Sequence, residues 1–325
     1  MVVFDATASS EEVTSAFSHE IKGRTFLITG AGQPSIGSKM ATSLAKFGPA
    51  HILIASRTAK KVEPVLEEIN SFDSSVKTTF VQVDLSDHDS VRHAAKEILA
   101  AAPKINVLIN SAGNMALKEF TVDKQGIELQ LSGNHVGHFL LTNLLVPALV
   151  AGAAEAGNAR VVNLTSSGYL ISPVRFEDWN YSGGMDYDPW TGYGQAKSAN
   201  ILFAYGLTKK LRARGITAAA AHPGYNGDTE LGAHLTWDDY VGIFPATKKN
   251  TGRDFEFEEP RFKNYTQIAA TPLIAALDPE LPAKSPVYLQ NSQATEPGAD
   301  YVRDDESIEK LWKLSEQLVG EKFEY

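Results

Sequence analysis

The sequence contains no cysteine, which excludes disulfides, thiolate nucleophiles and cysteine-ligated zinc. It has no surplus of basic charge either. Lys and Arg number 30 against 39 Asp and Glu, a net charge of −9. Nucleic-acid binding needs clustered cations along the phosphates, so nucleic acid is not the expected partner. No apolar run reaches the ~18 residues of a membrane span. The first twenty residues, "MVVFDATASSEEVTSAFSHE", have neither the apolar core of a secretory signal nor the Arg-rich character of a transit peptide. A cytoplasmic protein is expected. Internal repeats and low-complexity tracts are also missing.

What is present is an alternation. Short apolar runs recur: "TFLITG" (25–30), "HILIAS" (51–56), "TTFVQVD" (78–84), "INVLIN" (105–110), "ARVVNLTS" (159–166), "TAAAAHP" (217–223) and "PVYLQ" (286–290). Nearly continuous hydrophobic runs are the pattern of parallel strands covered on both faces. Between them, Lys60–Phe72, Asp87–Ala101 and Leu129–Val150 carry apolar residues at i, i+3, i+4 spacing. The alternation predicts an α/β fold: a doubly wound parallel sheet of about seven strands, helices on both faces, in one domain over 1–325. Residues 1–20 and 291–325 are expected as terminal extensions, the latter with a helix near Glu306–Gly320. Two segments break the rhythm, 168–190 and 228–265, and both are rich in turn formers and aromatics. They follow the C-terminal ends of predicted strands, where open sheets bind ligands, and are expected to form a substrate lid. Tyr169, Phe176, Trp179, Trp190, Tyr225, Trp237 and Phe244 cluster there, which suggests a sizeable apolar pocket. The acidic run Glu256–Glu259 reads as solvated loop.

Residues 26–48, "FLITGAGQPSIGSKMATSLAKFG", read as strand, glycine-rich turn and helix. In such a turn glycines let the backbone approach a pyrophosphate, and the helix start offers unpaired N–H groups and the positive end of its dipole. Ser35 is the expected N-cap of a helix over Ile36–Lys46. Gly30, Gly32 and Gly37 do not fall at the G-x-G-x-x-G spacing, so a phosphate loop with an insertion and a purely structural turn both fit. A hydrolase nucleophile elbow does not, because Gly32 stands three residues before Ser35 rather than two. At the end of the second strand an NAD enzyme usually places an acid for the ribose 2′-OH. Here Ser56 and Arg57 stand instead. A guanidinium binds a 2′-phosphate bidentately, which points to NADP(H); the alternative is a solvated charge opening a helix.

Tyr193 and Lys197 lie at i, i+4 in "WTGYGQAKSANILFAYGL", which is helical from about Thr191, and therefore share a helix face. A nearby ammonium favours tyrosinate and poises a phenol for proton transfer to or from a carbonyl oxygen. The pair also fits an ordinary solvated face. Upstream, "RVVNLTSSGYL" is a buried strand that ends in the hydroxyls Thr165, Ser166 and Ser167. Asn134 interrupts an otherwise apolar helical pattern, where it either bends the helix or holds a water beside the lysine.

Taken together, "TGAGQPSIG", "LINSAG" (108–113), "NHVGHFLL" (134–141), "NLTSS", "YGQAK" and "HPG" (222–224) resemble the short-chain dehydrogenase/reductases, in that family's order and over residues 20 to 230. "NHVGHFLLTNLL", the long insert before Tyr193 and "HPG" look most like the retinol-dehydrogenase-like branch. The resemblance implies a Rossmann-type fold and a tetrad of Asn134, Ser166, Tyr193 and Lys197. Tyr193 would be the general acid in reduction, Ser166 would polarise the carbonyl, Lys197 would hold the nicotinamide ribose and lower the tyrosine pKa, and Asn134 would keep a relay water. Gly30, Ser35, Ile36 and Gly37 would surround the pyrophosphate and Arg57 the 2′-phosphate. Asp84 and Leu85 would border the adenine, Asn110 and Gly113 its ribose. Pro223 and Gly224 would bind the cofactor, with Thr229 reaching the carboxamide. The implied activity is hydride transfer between NADP(H) and a lipophilic ketone or aldehyde, or the corresponding alcohol. The glycine loop and the segment after "HPG" each run one residue longer than the family pattern. A non-enzymatic NADP(H)-binding regulator, and a dehydratase or epimerase on the same fold, remain as alternatives. The helices that carry Asn134 and Tyr193 pair subunits in many relatives, so a homodimer is open unless the C-terminal extension covers that face. His135 and His138 have no cysteine or carboxylate at ligand spacing and read as core or surface histidines, with no metal expected.

Overall fold

The computed structural model describes residues 3–325. Eight strands form one sheet, in the order β3-β2-β1-β4-β5-β6-β7-β8. They are β1 (Thr25–Thr29), β2 (His51–Ser56), β3 (Lys77–Gln82), β4 (Val107–Asn110), β5 (Ala159–Leu164), β6 (Ile216–Ala221), β7 (Val287–Gln290) and β8 (Gln293–Thr295). The first seven are parallel, as the continuous apolar runs predict. The strand order reverses between β1 and β4, which opens a crevice at the C-terminal edge of the sheet. β8 was not anticipated. It pairs antiparallel with β7 through a two-residue turn whose Asn291 and Ser292 have φ of 52° and 64°. Its residues are all exposed, so it carries no hydrophobic signal.

The helices used below are α1 (Ser10–Ala16), α2 (Ile36–Ala45), α3 (Ala59–Phe72), α4 (His88–Ala101), α5 (Leu129–Leu144), α6 (Val146–Ala156), α7 (Pro189–Leu211), α8 (Trp237–Val241), α9 (Ile243–Thr251), α10 (Tyr265–Leu277) and α11 (Asp305–Val319). Strand side chains alternate between two cores. Leu27, Leu53, Leu108 and Val161 pack under α4 to α7 and α11. Phe26, Ile28, Ile54 and Ile109 pack under α1, α2, α3 and α10.

The helix expected over Leu129–Val150 is instead two, bent by 62° at Leu145. Pro147 in the first turn of α6 has no N–H to continue the ladder. Within α5, Ser132–Val136 forms a π-turn around Asn134. No single helix among the described residues is long and apolar enough to cross a membrane.

α7 is capped by Asp188, whose Oδ1 accepts the Thr191 N–H at 2.7 Å, and Pro189 opens its first turn. It is buried almost throughout, because α11 lies over it. Gly206 lets Trp312 come close: a methyl group there would stand 3.3 Å from the indole. Trp312 meets Phe139 of α5 at 5.0 Å between ring centroids, and the Tyr325 hydroxyl donates to Asn143 Oδ1 at 2.7 Å. The C-terminal extension therefore covers the α5–α7 face.

Candidate active site

The glycine loop lies at the crevice. Gly30 has φ of 67°, and a methyl group there would stand 2.6 Å from Ala112 Cα. One at Gly37 would stand 2.7 Å from the Gly30 carbonyl. Loop, α2 and the end of β4 are thus packed at a separation only glycine permits. Ser35 caps α2: its Oγ accepts the Ser38 N–H at 3.0 Å and donates to the Gly30 carbonyl at 3.1 Å. The inserted residues lean on α3, where the Gln33 N–H donates to the Lys61 carbonyl at 2.8 Å. The insertion therefore leaves the α2 N-terminus facing the crevice, the geometry that accepts a pyrophosphate.

Arg57 is exposed at the C-terminal end of β2, and its carbonyl accepts from Gln82 at 3.1 Å. Asp84 folds its carboxylate onto Ser86, accepting the N–H at 3.0 Å and the hydroxyl at 2.6 Å. Leu85 is buried against Gly137 of α5. The Asn110 side chain is buried between β4 and β5 and donates to Asn163 Oδ1 at 2.8 Å and Thr142 Oγ1 at 3.0 Å. Its main chain is what faces the crevice for a ribose, because both amide N–H groups are spent inside the fold and Oδ1 is buried.

The four tetrad residues come together from three elements. Asn134 is fixed on all sides: its Nδ2 donates to Gln130 O (2.8 Å), Asn114 Oδ1 (2.9 Å) and Asn114 O (3.1 Å). Its Oδ1 accepts from the Asn114 N–H at 3.2 Å and from Lys197 Nζ at 3.4 Å. Lys197 also reaches the Leu164 carbonyl at 3.5 Å, at the end of β5. Thr165 anchors the helix, its hydroxyl donating to the Lys197 carbonyl at 2.8 Å. Ser166 sits beside the Tyr193 phenol, and Gly168 gives that ring room: a methyl group there would stand 2.6 Å from Tyr193 Cε1.

Burial pushes the Tyr193 phenol up to about 12, although the Ser166 hydroxyl pulls the other way. Burial brings the Lys197 ammonium down to about 8. Lys197 does not offset the rise at the phenol. The ammonium lies 5.5 Å from the centre of the tyrosine ring and turns toward Asn134 and Leu164, so desolvation wins. The phenol is therefore protonated at neutral pH.

A cavity of about 340 Å³ joins these parts. It runs from Ile36 past Gly113, Ser166, Tyr193 and Lys197, along Pro223, Gly224 and Thr229, and into an aromatic chamber. Trp190, Tyr240, Phe255 and Phe257 wall that chamber, the first from α7 and the rest from the second insert. Trp190 Nε1 donates to the Asp239 carbonyl at 2.7 Å, which ties α8 to α7.

Sequence reasoning missed how the second insert is held. Glu258, read as solvated, is half-buried with its Oε1 2.6 Å from His222 Nε2, and Gln290 Nε2 donates to its Oε2 at 2.6 Å. Burial opposes ionisation of Glu258, but His222 and Gln290 outweigh it and hold the carboxyl below its usual range. Lys263 is buried on Gly224 and donates to Asn291 Oδ1 at 2.6 Å. The available signal was the histidine of "HPG", a titratable group at a strand end with no partner assigned. His135 and His138 are core residues, bonded at 2.8 Å to the hydroxyls of Ser315 and Thr29 respectively.

A doubly wound sheet whose switch point carries a glycine cradle, facing a Tyr–Lys pair across one cleft, belongs to the Rossmann-type oxidoreductases. The family model for the short chain dehydrogenase matches residues 24–239, and the chain belongs to that family. It is 34% identical to retinol dehydrogenase 12 of Mus musculus over 305 residues, covering 94% of this chain and 89% of that one. Retinol dehydrogenase 13 of Homo sapiens is 32% identical over 303 residues, covering 92% and 86%. A solved structure of an uncharacterised protein from Mycobacterium Paratuberculosis superposes with a TM-score of 0.68 at 30% identity, covering 94% of this chain and 96% of that one. The chain is accordingly an oxidoreductase of the nicotinamide-dependent short-chain type, from the retinol-dehydrogenase-like branch its motifs resemble.

Proposed function

We propose that the protein transfers hydride between NADP(H) and a lipophilic ketone or aldehyde, or the corresponding alcohol, with Tyr193 as general acid and base. The observation that carries this reading is the single cleft that leads from the α2 N-terminus, past Tyr193 and Lys197, into an aromatic chamber. A bound nicotinamide would supply or accept the hydride. The chain's own residues supply the rest. Tyr193, neutral at physiological pH, gives its phenolic proton to the substrate oxygen, and Ser166 beside it donates a second hydrogen bond to that oxygen. Lys197, held by Asn134, stabilises the resulting phenolate as the proton is replaced. The apolar walls exclude water and favour bulky substrates.

NADP(H) is favoured over NAD(H) because β2 ends in Ser56 and the exposed Arg57, where an NAD enzyme usually carries an acid that would repel a 2′-phosphate. Absorbance at 340 nm with a panel of carbonyl compounds tests both parts. Bulky aryl ketones should consume NADPH faster than acetone-sized ones, and Arg57→Ala should raise KM for NADPH at least tenfold while KM for NADH barely moves. Absence of NADPH consumption with every carbonyl would overturn the activity, and an equal effect of Arg57→Ala on both cofactors would overturn the preference.

A further inference from the structure

One solvent-exposed cation that the oxidoreductase reading does not use lines the cavity beside the aromatic chamber. Four titratable side chains besides Tyr193, Tyr225 and Tyr240 line the cavity: Lys197, His222, Glu258 and Arg261. Lys197 belongs to the catalytic group, and His222 and Glu258 face each other. Arg261 is left over. Arg261 enters no ion pair among the described residues, as is also true of Arg57, Arg212, Arg214 and Arg253, but of these arginines it alone lines the cavity. Its nearest acidic neighbour in sequence, Glu259, accepts the Arg261 backbone N–H through Oε2 at 3.1 Å.

Two features hold the guanidinium in place. Its carbon lies 4.1 Å from the centre of the Phe257 ring, a cation–π contact that covers one face of the plane and leaves the N–H edge open. The strap that carries it is pinned on both sides. Glu258 is held by Gln290 and His222; Lys263 is held by Asn291, while its backbone N–H donates to the Tyr225 carbonyl at 2.9 Å and its carbonyl accepts from Asn226 at 2.7 Å. Buried charged side chains are costly unless they are paired, so this bracing is a stable feature of the strap. Between the anchors, Arg261 reaches the cavity wall.

We propose that Arg261 is a specificity-determining residue, and that the preferred substrates are lipophilic carbonyl compounds that carry a carboxylate remote from the reacting carbonyl. This deepens the oxidoreductase reading and rests on it. The reacting end lies at Tyr193, the apolar body against Trp190, Tyr240, Phe255 and Phe257, and the carboxylate on the open edge of the guanidinium, in the bidentate geometry that arginine favours.

The test compares one bulky aryl ketone as its free carboxylate and as its methyl ester. The wild-type protein should turn over the acid with kcat/KM about tenfold or more above the ester, the difference lying in KM, because a hydrogen bond to a charged group is worth at least that much. Arg261→Met keeps the apolar stem and should bring the ratio toward one, with the loss falling on the acid, while Arg261→Lys retains part of it. Arg253→Met, an exposed arginine of the same insert that does not line the cavity, should leave the ratio as it is. An acid-to-ester ratio of one in the wild-type protein, or an equal loss on both substrates in Arg261→Met, would overturn the proposal. If neither ketone is reduced, the oxidoreductase reading fails separately. Calorimetric binding of the same carboxylate to wild type and Arg261→Met then decides on Arg261, with equal affinities counting against it.

Discussion

A methyl group on Gly113 would stand 2.3 Å from Asn134 Oδ1 and 3.6 Å from Lys197 Nζ. The glycine that ends "LINSAG" is there because the asparagine amide and the lysine occupy the space a side chain would take. Gly113→Ala should therefore displace Asn134, release Lys197 and lower kcat at least tenfold. Circular dichroism should remain that of the native fold. A variant with native kcat would show that the close approach has no catalytic role.

Lys197 is a buried charge with no carboxylate partner among the described residues, and burial lowers its pKa to about 8. Between that value and the ordinary lysine pKa the unfolded chain binds the proton and the folded chain does not, so stability rises with pH across roughly 8 to 10.5. Below pH 8 the buried ammonium opposes folding. Lys197→Met should then stabilise the protein at pH 7 by on the order of 1–3 kcal/mol while abolishing turnover. Denaturant unfolding gives the first quantity. A destabilised variant would contradict the desolvation account.

His138 joins the glycine loop to Asn134. The Thr29 hydroxyl oxygen accepts the N–H groups of Ser111 (2.9 Å) and Ala112 (3.1 Å), so its proton faces His138 Nε2, 2.8 Å away. The Nδ1–H then donates to the Asn134 carbonyl at 2.9 Å, an assignment that follows from the surrounding donors. His138→Leu would strand a buried hydroxyl and a buried carbonyl, and should cost about 3 kcal/mol of stability. It should also lower kcat, since Asn134 loses its main-chain restraint. Loss of stability with unchanged kcat would confine His138 to the core.

Burial lowers the pKa of His51 to about 4, of His135 to about 3 and of His138 to about 4. Between about 4 and 6.5 the unfolded chain takes up protons that the folded chain refuses, so their contribution is complete above pH 6.5 and is lost on acidification. Glu128 runs the other way. Burial raises it to about 7, and its contribution is lost as pH rises through that value. Three groups outweigh one, so unfolding free energy should fall between pH 6.5 and 5. Glu128→Gln should steepen the fall by up to about 1.4 kcal/mol per pH unit. A flat profile in either protein would contradict these assignments.

Much of the fold was legible in the sequence because parallel strands and their crossover helices bury nearly every side chain and so read as plain apolar runs. All seven parallel strands lie within a residue or two of the predicted runs, and α2 begins at Ile36 behind Ser35. β8 escaped because an exposed edge strand of three polar and small residues carries no such pattern. The break at Leu145 was written in Pro147, but the apolar periodicity on both sides hid it.

The active site divides along the same line. Local sequence sets Tyr193 four residues before Lys197, Ser166 at the end of β5 and glycine wherever the backbone must come close, since helix period, strand ends and the absence of Cβ are properties of short segments. Pairings between distant segments are not. That Lys197 reaches Asn134, that Asn110 spends its amide N–H groups inside the fold, that Glu258 of an acidic run is half-buried against His222, and that α11 closes the α5–α7 face were decided only when packing brought those segments together. Burial and the choice among competing partners depend on what stands on the far side of a side chain, and that neighbour is remote in sequence.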